Sequence, residues 1–301
     1  MLKRIDEFRH LFAEKHIELV IPDIVQTLSE EELIDILPQV DGWIIGDDPA
    51  TERVFIAGKN GNLKAAVKWG VGTDNVDFAA CKKLGIPIIN TPNMFGSEVA
   101  TIAMAYVLGL ARQTYYIDRE VRKGNWVKPA GRSLAGLTVS LIGFGDIGKA
   151  TAKYLKAFDM QVNIYDPFAT KTESDLADYE FCSFPDKLQD ADFVIVTCAL
   201  TPQTKHLINK DTIALMKDGV YFINVSRGGV MDEDAVIDAL QSGKILAAGL
   251  DVFEVEPLPA ESRLRQFDQC IFGTHNGSNT IEGVRRATYR ALEHLFEFLN
   301  I

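Results

Sequence analysis

A glycine-rich loop near the middle of the chain has the residue types needed to hold a dinucleotide. The segment TVSLIGFGDIGKA, residues 138–150, carries the spacing Gly-x-Gly-x-x-Gly between an apolar run and an amphipathic helical pattern. Gly143 permits the tight turn, Gly145 lets the backbone approach a pyrophosphate, and Gly148 lets the helix pack on the strand. The N-terminus of such a helix offers unbonded N–H groups and a partial positive charge to phosphates. The alternative is an incidental glycine turn.

An acidic residue after the next apolar run indicates which dinucleotide is bound. Asp166 follows QVNIY, residues 161–165, and lies 18 positions after Gly148. A carboxylate about 20 residues beyond the loop accepts hydrogen bonds from the ribose 2′-hydroxyl group. The same carboxylate would repel a 2′-phosphate, and the next basic residue is Lys171. The pattern therefore favours NAD over NADP, unless Asp166 is merely a strand-end aspartate.

Reactive side chains follow three later apolar runs of the same series. In an open doubly wound sheet, ligands bind beyond the carboxyl ends of the strands. We therefore expect a cation, several carboxylates and an imidazole at one edge of the predicted sheet. They are Arg227 after VYFIN (220–224), Asp251, Glu254 and Glu256 after KILAAGL (244–250), and His275 after QCIFG (269–273).

Hydride transfer to a carbonyl carbon requires this set of groups. The carbonyl oxygen becomes negative, so the site must supply a proton and a fixed positive charge. Arg227 can hold a carboxylate with its planar guanidinium and polarise the adjacent carbonyl. His275 can exchange the proton, and a neighbouring glutamate would raise its pKa. Spacing alone does not separate Glu254 from Glu256 as that neighbour, and the plainer alternatives make Arg227 a surface residue and His275 a strand cap.

The elements that would position these groups are short strands alternating with helices. This alternation predicts helices layered on parallel sheets. A Ser29–Glu32 capping box predicts the start of one helix, and Gly85 predicts the end of another. Predicted strands of the first part lie at 17–21, 42–46, 65–69 and 86–90; those of the second part lie at 138–142, 161–165, 192–196, 220–224, 244–250 and 269–273; helical patterns span 97–124 and 280–298. We expect the last helix to return to the first part.

Composition and charge exclude several classes of protein. The net charge of -11 and the isoelectric point near 5.0 disfavour a nucleic-acid partner. No apolar run reaches the roughly 18 residues that cross a bilayer, and the start MLKRIDEFRHLF lacks a signal-peptide core. We therefore expect a cytoplasmic protein without membrane association. The four cysteines lie far apart without a Cys-x-x-Cys spacing, so neither a disulfide framework nor a metal site is expected.

Six segments spread over most of the chain carry a family resemblance. They are GVGTDNVD (70–77), NTPN (90–93), LIGFGDIGK (141–149), NVSRGGVMDEDAV (224–236), GLDVFEVEP (249–257) and TH (274–275). With these segments the chain resembles the D-isomer-specific 2-hydroxyacid dehydrogenase family. The resemblance implies a Rossmann-type doubly wound NAD-binding domain, residues 95–276, inserted into a smaller flavodoxin-like α/β substrate domain, residues 1–94 and 277–301. The insertion would explain why the glycine loop lies in mid-chain. The resemblance also implies a homodimer formed through the cofactor domain.

The resemblance assigns a role to each candidate residue. His275 becomes the acid–base group, Glu256 rather than Glu254 becomes its partner, and Arg227 binds and polarises the substrate. The resemblance places Asp251 at the nicotinamide carboxamide. It places the backbone amides of Val71 and Gly72 at the substrate carboxylate. The full cofactor set is Gly143, Gly145, Asp146, Ile147, Gly148, Asp166, Thr201, Val225 and Asp251, and the full substrate set is Lys68, Val71, Gly72 and Arg227.

The resemblance implies an oxidoreductase that transfers hydride between NAD(H) and C2 of a D-2-hydroxy acid or 2-oxo acid. Candidate substrates are 3-phosphoglycerate and glyoxylate or hydroxypyruvate. Lys68 stands where phosphoglycerate dehydrogenases carry a basic residue, although a solvated surface lysine is the other interpretation. The alternative function is an NAD-sensing binding protein similar to the corepressors of this fold, against which the retained Arg, Glu and His set argues.

Two features depart from the family pattern. Family members usually begin with a β-strand, whereas this chain opens with the helix-like segment LKRIDEFRHLFAEK. Members also often carry a glutamate near the start of the helix that precedes the glycine loop, where this chain has Thr101.

Overall fold

The computed structural model describes residues 2–24 and 27–301, which divide into two compact units. The first unit comprises Met1–Met94 and Thr280–Ile301, and the second comprises Phe95–Asn279. Among the described residues, no helix combines the length and apolar character needed to span a bilayer.

The first unit is built on a small parallel sheet. Its elements are α1 (Arg9–Ala13), α2 (Glu30–Ile36), β1 (Gly42–Ile45), α3 (Glu52–Asn60), β2 (Ala65–Lys68), α4 (Phe78–Leu84), β3 (Ile88–Asn90) and α11 (Ile281–Leu299). Within the described residues the sheet has three strands, in the order β1-β2-β3. Helix α11, the last of the chain, packs Ala291 and Leu295 against Ala65 and Val67 of the central strand.

Local signals fix two helix ends of this unit as the sequence predicts. Ser29 Oγ accepts a hydrogen bond from the Glu32 N–H, and the Glu32 carboxylate accepts one from the Ser29 N–H, so α2 begins with a complete capping box. Helix α4 ends at Leu84 and is capped by Gly85, whose φ of 67° lies in the left-handed region that glycine adopts without steric cost.

The strand predicted at residues 17–21 is wrong. Residues 17–24 have no regular secondary structure, and the described part of the chain has no strand before β1. Ile17 and Leu19 instead place their side chains in an apolar cluster with Phe8 and Phe12. Alternate residues are therefore packed without sheet hydrogen bonds, and a short apolar run does not distinguish that arrangement from a strand.

The second unit contains a parallel sheet of seven strands among the described residues, in the order β10-β9-β8-β7-β4-β5-β6. All six predicted strands are present. The added strand, β6, has two residues, too few for a periodic pattern. The elements are α5 (Gly96–Arg112), α6 (Thr114–Arg122), β4 (Thr138–Ile142), α7 (Asp146–Ala157), β5 (Gln161–Tyr165), α8 (Glu173–Asp178), β6 (Glu180–Phe181), β7 (Phe193–Val196), α9 (Lys210–Leu215), β8 (Val220–Asn224), α10 (Glu233–Ser242), β9 (Ile245–Leu250) and β10 (Ile271–Phe272).

The continuous helix predicted over residues 97–124 is also wrong. Gln113 has a φ of 53°, which ends α5 at Arg112 and starts α6 at Thr114. Gly109 makes room for the turn, because a Cβ there would lie 2.6 Å from the Tyr115 ring. The helical pattern continues through both helices, so it does not reveal the break.

A buried carboxylate joins the amino ends of two central strands in the second unit. Asp192 accepts hydrogen bonds from Lys217 Nζ at 2.8 Å, Arg132 Nη2 at 3.1 Å and the Thr138 N–H at 3.1 Å. Burial opposes ionisation of Asp192, but these three donors outweigh it, so its pKa lies below the ordinary value.

We expect Asp192→Asn to lower the free energy of unfolding by about 2 kcal/mol at pH 7, because this buried side chain loses its charge and one of its three donors loses an acceptor. A carboxyl whose folded pKa is depressed stabilises the fold above its unfolded pKa, and this contribution disappears as pH falls through the folded pKa. The difference in thermal midpoint between the variant and the parent should therefore shrink below about pH 4. A difference that stays constant from pH 7 to pH 3 would contradict the assignment.

Candidate active site

The glycine loop connects β4 to α7 at the point where the strand order reverses. Gly143 has a φ of 102°, and a Cβ there would lie 2.6 Å from the Cys198 nitrogen. A Cβ on Gly148 would lie 2.1 Å from the Gly143 carbonyl oxygen. A Cβ on Gly145 would meet no atom within 4 Å, so the loop presents bare backbone to open space. Close packing on one side and an open face on the other fit a loop that holds a pyrophosphate.

Asp166 lies directly beside this loop. Its Oδ2 accepts a hydrogen bond from the Phe144 N–H at 2.7 Å, and its Oδ1 accepts one from the Phe168 N–H at 2.9 Å. These contacts fix the carboxylate at the end of β5, which neighbours β4 in the sheet. A fixed carboxylate at this edge suits ribose hydroxyl groups and repels a phosphate at the same place. The residues present therefore fit NAD.

The other predicted cofactor residues occupy three places on this edge. Asp146 and Ile147 form the first turn of α7, where the Asp146 carboxylate lies against Gly96, whose Cβ would be 2.5 Å from it. Thr201 lies in the turn that follows β7, where its carbonyl accepts hydrogen bonds from the Thr204 and Lys205 N–H groups. Val225 follows the adjacent strand β8, and its N–H donates to the Val196 carbonyl at 3.2 Å.

His275, Glu256 and Arg227 meet at the carboxyl ends of β8, β9 and β10. The distance from His275 Nδ1 to Glu256 Oε2 is 2.8 Å, and that from His275 Nε2 to Arg227 Nη1 is 3.4 Å. Glu256 is itself held by the Phe253 N–H, which donates to its Oε1 at 2.9 Å. Because the carboxylate keeps a proton on Nδ1, Nε2 is the nitrogen that can exchange a proton with a bound molecule.

Glu254 faces a different histidine. Its Oε1 lies 2.9 Å from His206 Nε2 and accepts a hydrogen bond from the Glu233 N–H at 3.3 Å. The structure thus brings Glu256, and not Glu254, beside His275. Burial, and then the Glu254 charge, raise the pKa of Glu233.

Glycine allows the Arg227 segment to contact the segment that carries both glutamates. A Cβ on Gly228 would lie 1.9 Å from the Phe253 carbonyl carbon and 2.4 Å from the Glu254 nitrogen. No side chain fits in that space, so the backbone after Arg227 packs directly on the backbone before Glu256. This contact sets the position of the guanidinium relative to the carboxylate.

Asp251, the remaining predicted residue of this edge, is 2% exposed. Its Oδ2 accepts a hydrogen bond from the Gly277 N–H at 2.8 Å, and its carbonyl accepts one from the His275 N–H at 2.7 Å. Asp251 therefore holds the loop that carries the imidazole at two backbone positions, His275 and Gly277.

The predicted substrate residues Lys68, Val71 and Gly72 belong to the first unit. Lys68 is 2% exposed, and its ammonium group donates to the Gly46 carbonyl and lies 3.3 Å from Asp47 Oδ1. The interpretation of Lys68 as a solvated surface residue is therefore wrong. Val71 is anchored by its carbonyl, which accepts a hydrogen bond from Asn90 Nδ2 at 3.1 Å.

Comparison with known proteins establishes the family. A model of the D-isomer-specific 2-hydroxyacid dehydrogenase NAD-binding domain matches residues 104–277, more than half of the chain. The chain belongs to the D-isomer-specific 2-hydroxyacid dehydrogenase family. The resemblance noted in the sequence is confirmed, and so are the Rossmann-type fold, the NAD cofactor and the oxidoreductase class. These matches support the enzyme over the NAD-sensing alternative.

Three relatives illustrate the range of this dehydrogenase family. The chain is 39% identical to a hydroxypyruvate reductase of Thermotoga maritima, over 91% of this chain and 90% of that protein. It is 35% identical to a D-3-phosphoglycerate dehydrogenase of Synechocystis, and the matched region covers 86% of this chain. The same region covers about half (47%) of that longer relative. A D-lactate dehydrogenase of Aquifex aeolicus, solved with NAD and lactic acid, superposes with a TM-score of 0.86 at 30% identity, covering 99% of this chain and 93% of that one.

The local sequence pattern gives no signal for two residues of the dehydrogenase, His206 and Tyr106. His206 lies in a turn with a φ of 50°, and its imidazole contacts Glu254. Tyr106 carries no signal in the helical pattern of α5, yet its hydroxyl donates to Asp251 Oδ1 at 3.1 Å. In both cases the contact joins segments far apart in sequence, so local spacing does not indicate it.

Proposed function

We propose that this dehydrogenase interconverts a small 2-oxo acid and the corresponding D-2-hydroxy acid, with glyoxylate or hydroxypyruvate as the favoured substrates. The observation that carries the proposal is the arrangement of His275 between the Glu256 carboxylate and the Arg227 guanidinium, at 2.8 Å and 3.4 Å. These three groups form the catalytic set.

Each group of the catalytic set has one task. Arg227 binds the substrate carboxylate and polarises the adjacent carbonyl, because its planar guanidinium can donate two parallel hydrogen bonds. His275 gives the oxygen a proton from Nε2 during reduction and takes it back during oxidation. Glu256 holds the imidazole through Nδ1 and favours its protonated form. These tasks place the acid and the positive charge where negative charge develops.

The second unit is proposed to bind NAD, which supplies the hydride acceptor or donor when bound. The pyrophosphate would be held by the glycine loop, at Gly143, Gly145 and Gly148, and by the first turn of α7, at Asp146 and Ile147. Asp166 would bind the ribose. Thr201, Val225 and Asp251 follow adjacent strands β7, β8 and β9, which supports their assignment to the remainder of the cofactor.

The first unit is proposed to bind the substrate. Backbone amides of Val71 and Gly72 would hold its carboxylate, and Lys68 would add positive charge. Because the Gly46 carbonyl and Asp47 already engage the Lys68 ammonium group, the geometry favours a substrate with one carboxylate over a phosphorylated one. The identity to a hydroxypyruvate reductase over nearly the whole of both chains supports the same preference.

We also infer a cytoplasmic homodimer that does not bind nucleic acid. Helix α6 has no buried residue, and Tyr115, Val121 and the nearby Trp126 expose large apolar surfaces. Such surfaces commonly mark protein–protein contacts. The net charge of -11 supports the absence of nucleic-acid binding. Sedimentation at twice the chain mass of 33.4 kDa is expected, and a monomer at micromolar concentration would contradict the dimer.

A panel of 2-oxo acids with NADH tests the proposed activity. Glyoxylate, hydroxypyruvate, pyruvate and 3-phosphohydroxypyruvate would be compared by the loss of nicotinamide absorbance. We expect the highest kcat/KM with glyoxylate or hydroxypyruvate, by about tenfold over the phosphorylated acid, since one unmatched charge costs about 1.4 kcal/mol or more. A preference for the phosphorylated acid would refute the substrate assignment, and no turnover of any acid would refute the activity.

A further inference from the structure

Tyr106 is a buried residue of α5 that the catalytic set does not include. It is 5% exposed, and its ring lies where two glycines leave room for it. A Cβ on Gly249 would lie 2.7 Å from the Tyr106 Cβ, and a Cβ on Gly273 would lie 2.3 Å from the Tyr106 hydroxyl oxygen. The strands that deliver Asp251 and His275 are thus fitted around this one side chain.

The Tyr106 hydroxyl donates a hydrogen bond to the Asp251 carboxylate over the whole working pH range. The distance from the hydroxyl oxygen to Asp251 Oδ1 is 3.1 Å. Burial, and then the neighbouring Asp251 charge, raise the pKa of Tyr106 above its ordinary value, so the hydroxyl stays protonated at any pH at which the enzyme works. A protonated phenol beside a buried carboxylate donates its hydrogen bond to it.

Asp251 connects the Tyr106 hydroxyl to the loop that carries His275. Its second carboxylate oxygen accepts from the Gly277 N–H at 2.8 Å, and its carbonyl accepts from the His275 N–H at 2.7 Å. The Asp251 N–H in turn donates to the Asn224 carbonyl at the end of β8. The carboxylate is therefore clamped between a helix and a loop.

His275 needs such a restraint, because its backbone is strained. Its φ of 53° lies in the left-handed region, which costs a residue with a Cβ about 1 kcal/mol. A residue stays in this conformation only where its surroundings hold it. Asp251 accepts hydrogen bonds from the His275 N–H itself and from the N–H of Gly277, two residues later, and these bonds supply that restraint.

We propose that Tyr106 is a positioning residue for His275, acting through Asp251. By fixing the Asp251 carboxylate, it keeps the imidazole in hydrogen-bond contact with Glu256 and beside Arg227, the two charged groups that face it. The inference rests on the proposed acid–base role of His275.

The test compares Tyr106→Phe with Tyr165→Phe. Each substitution removes one buried hydroxyl and keeps the ring. Tyr165 is the matched control, since its hydroxyl donates to the Asp186 carbonyl at 2.6 Å, far in the sheet from the His275 loop. Both variants would be assayed for kcat and KM across pH with NADH and the best substrate of the panel, with thermal midpoints measured alongside.

We expect Tyr106→Phe to lower kcat about tenfold, since a small displacement of a catalytic group has effects of this size. The pH at which kcat falls to half on the alkaline side should drop by about 0.5, because the imidazole moves away from Glu256. Tyr165→Phe should keep kcat within about twofold of the parent and leave the pH profile unchanged, even if its thermal midpoint falls as much as that of Tyr106→Phe.

A separate measurement keeps the test decisive if Tyr106→Phe loses stability. The histidine ring resonances of the folded variant would be followed by ¹⁵N NMR titration at a temperature well below its thermal midpoint, where a lower titration midpoint for His275 supports the proposal. An unchanged pH profile and an unchanged His275 titration would overturn it. If His275 itself proved dispensable for turnover, the proposed function would fail instead, so the two failures are distinct.

Discussion

Replacement of His275 by asparagine should lower kcat by about a thousandfold while NADH binds almost as tightly as to the parent, because a positioned acid–base group contributes about 10² to 10⁴ in rate. Asparagine is chosen because it tolerates the left-handed backbone better than other residues with a Cβ, so the loop at φ 53° keeps its shape. The loss of kcat is then caused by the missing proton-exchange group and not by a displaced loop. Steady-state kinetics and NADH fluorescence titration measure the two quantities.

The control for this variant is His206→Asn. His206 also has a positive φ, 50°, and also contacts a glutamate at 2.9 Å, but it lies beside Glu254 rather than in the catalytic set. We expect it to keep kcat within about threefold of the parent, as substitutions outside the reacting groups usually do. Equal losses in the two variants would show that the effect comes from the loops and not from the imidazole of His275.

The sequence predicts most of the second unit because its strands are buried on both faces. Runs such as VYFIN and FVIV are continuous apolar segments in the middle of a parallel sheet, where every residue is buried. Glycine and aspartate at defined distances after β4 and β5 then mark the dinucleotide loop and its carboxylate. These signals are local, so one sequence suffices to find them.

The errors arise where tertiary contacts override local pattern. Residues 17–21 have the apolar character of a strand, but Ile17 and Leu19 pack in a side-chain cluster without a sheet partner. Gln113 breaks a helical pattern, and the reason is the close approach of Tyr115 to Gly109. The residues next to these positions in the sequence do not indicate either contact.

The choice between Glu254 and Glu256 has the same origin. The two residues are two positions apart in one acidic segment, and both have a histidine within 2.9 Å. Which histidine each one meets depends on the contact of Gly228 with the backbone of residues 253–254. The family resemblance points to Glu256, and the geometry gives a physical reason for the difference that spacing does not.

Glu256→Gln and Glu254→Gln should therefore differ sharply in activity. In Glu256→Gln the side-chain amide oxygen can still accept a hydrogen bond from His275 Nδ1, but the side chain carries no charge to favour the imidazolium. We expect kcat for reduction to fall about 30-fold at pH 8, because a carboxylate beside an imidazole shifts its pKa by about 1 to 3. Glu254→Gln keeps the contact with His206 as a hydrogen bond and should retain kcat within about threefold.

The pH profile separates loss of charge from loss of structure. Reduction requires the protonated imidazole, so kcat falls as pH rises through the pKa of His275 in the complex. Without the Glu256 charge this fall begins at lower pH, so the variant should regain activity relative to the parent as the pH is lowered from 8 to 6. A Glu256→Gln defect that is the same at pH 6 and pH 8 would mean that the carboxylate only shapes the loop. A profile altered equally by Glu254→Gln would mean that the acidic segment acts as one charged cluster and not through the single contact of 2.8 Å.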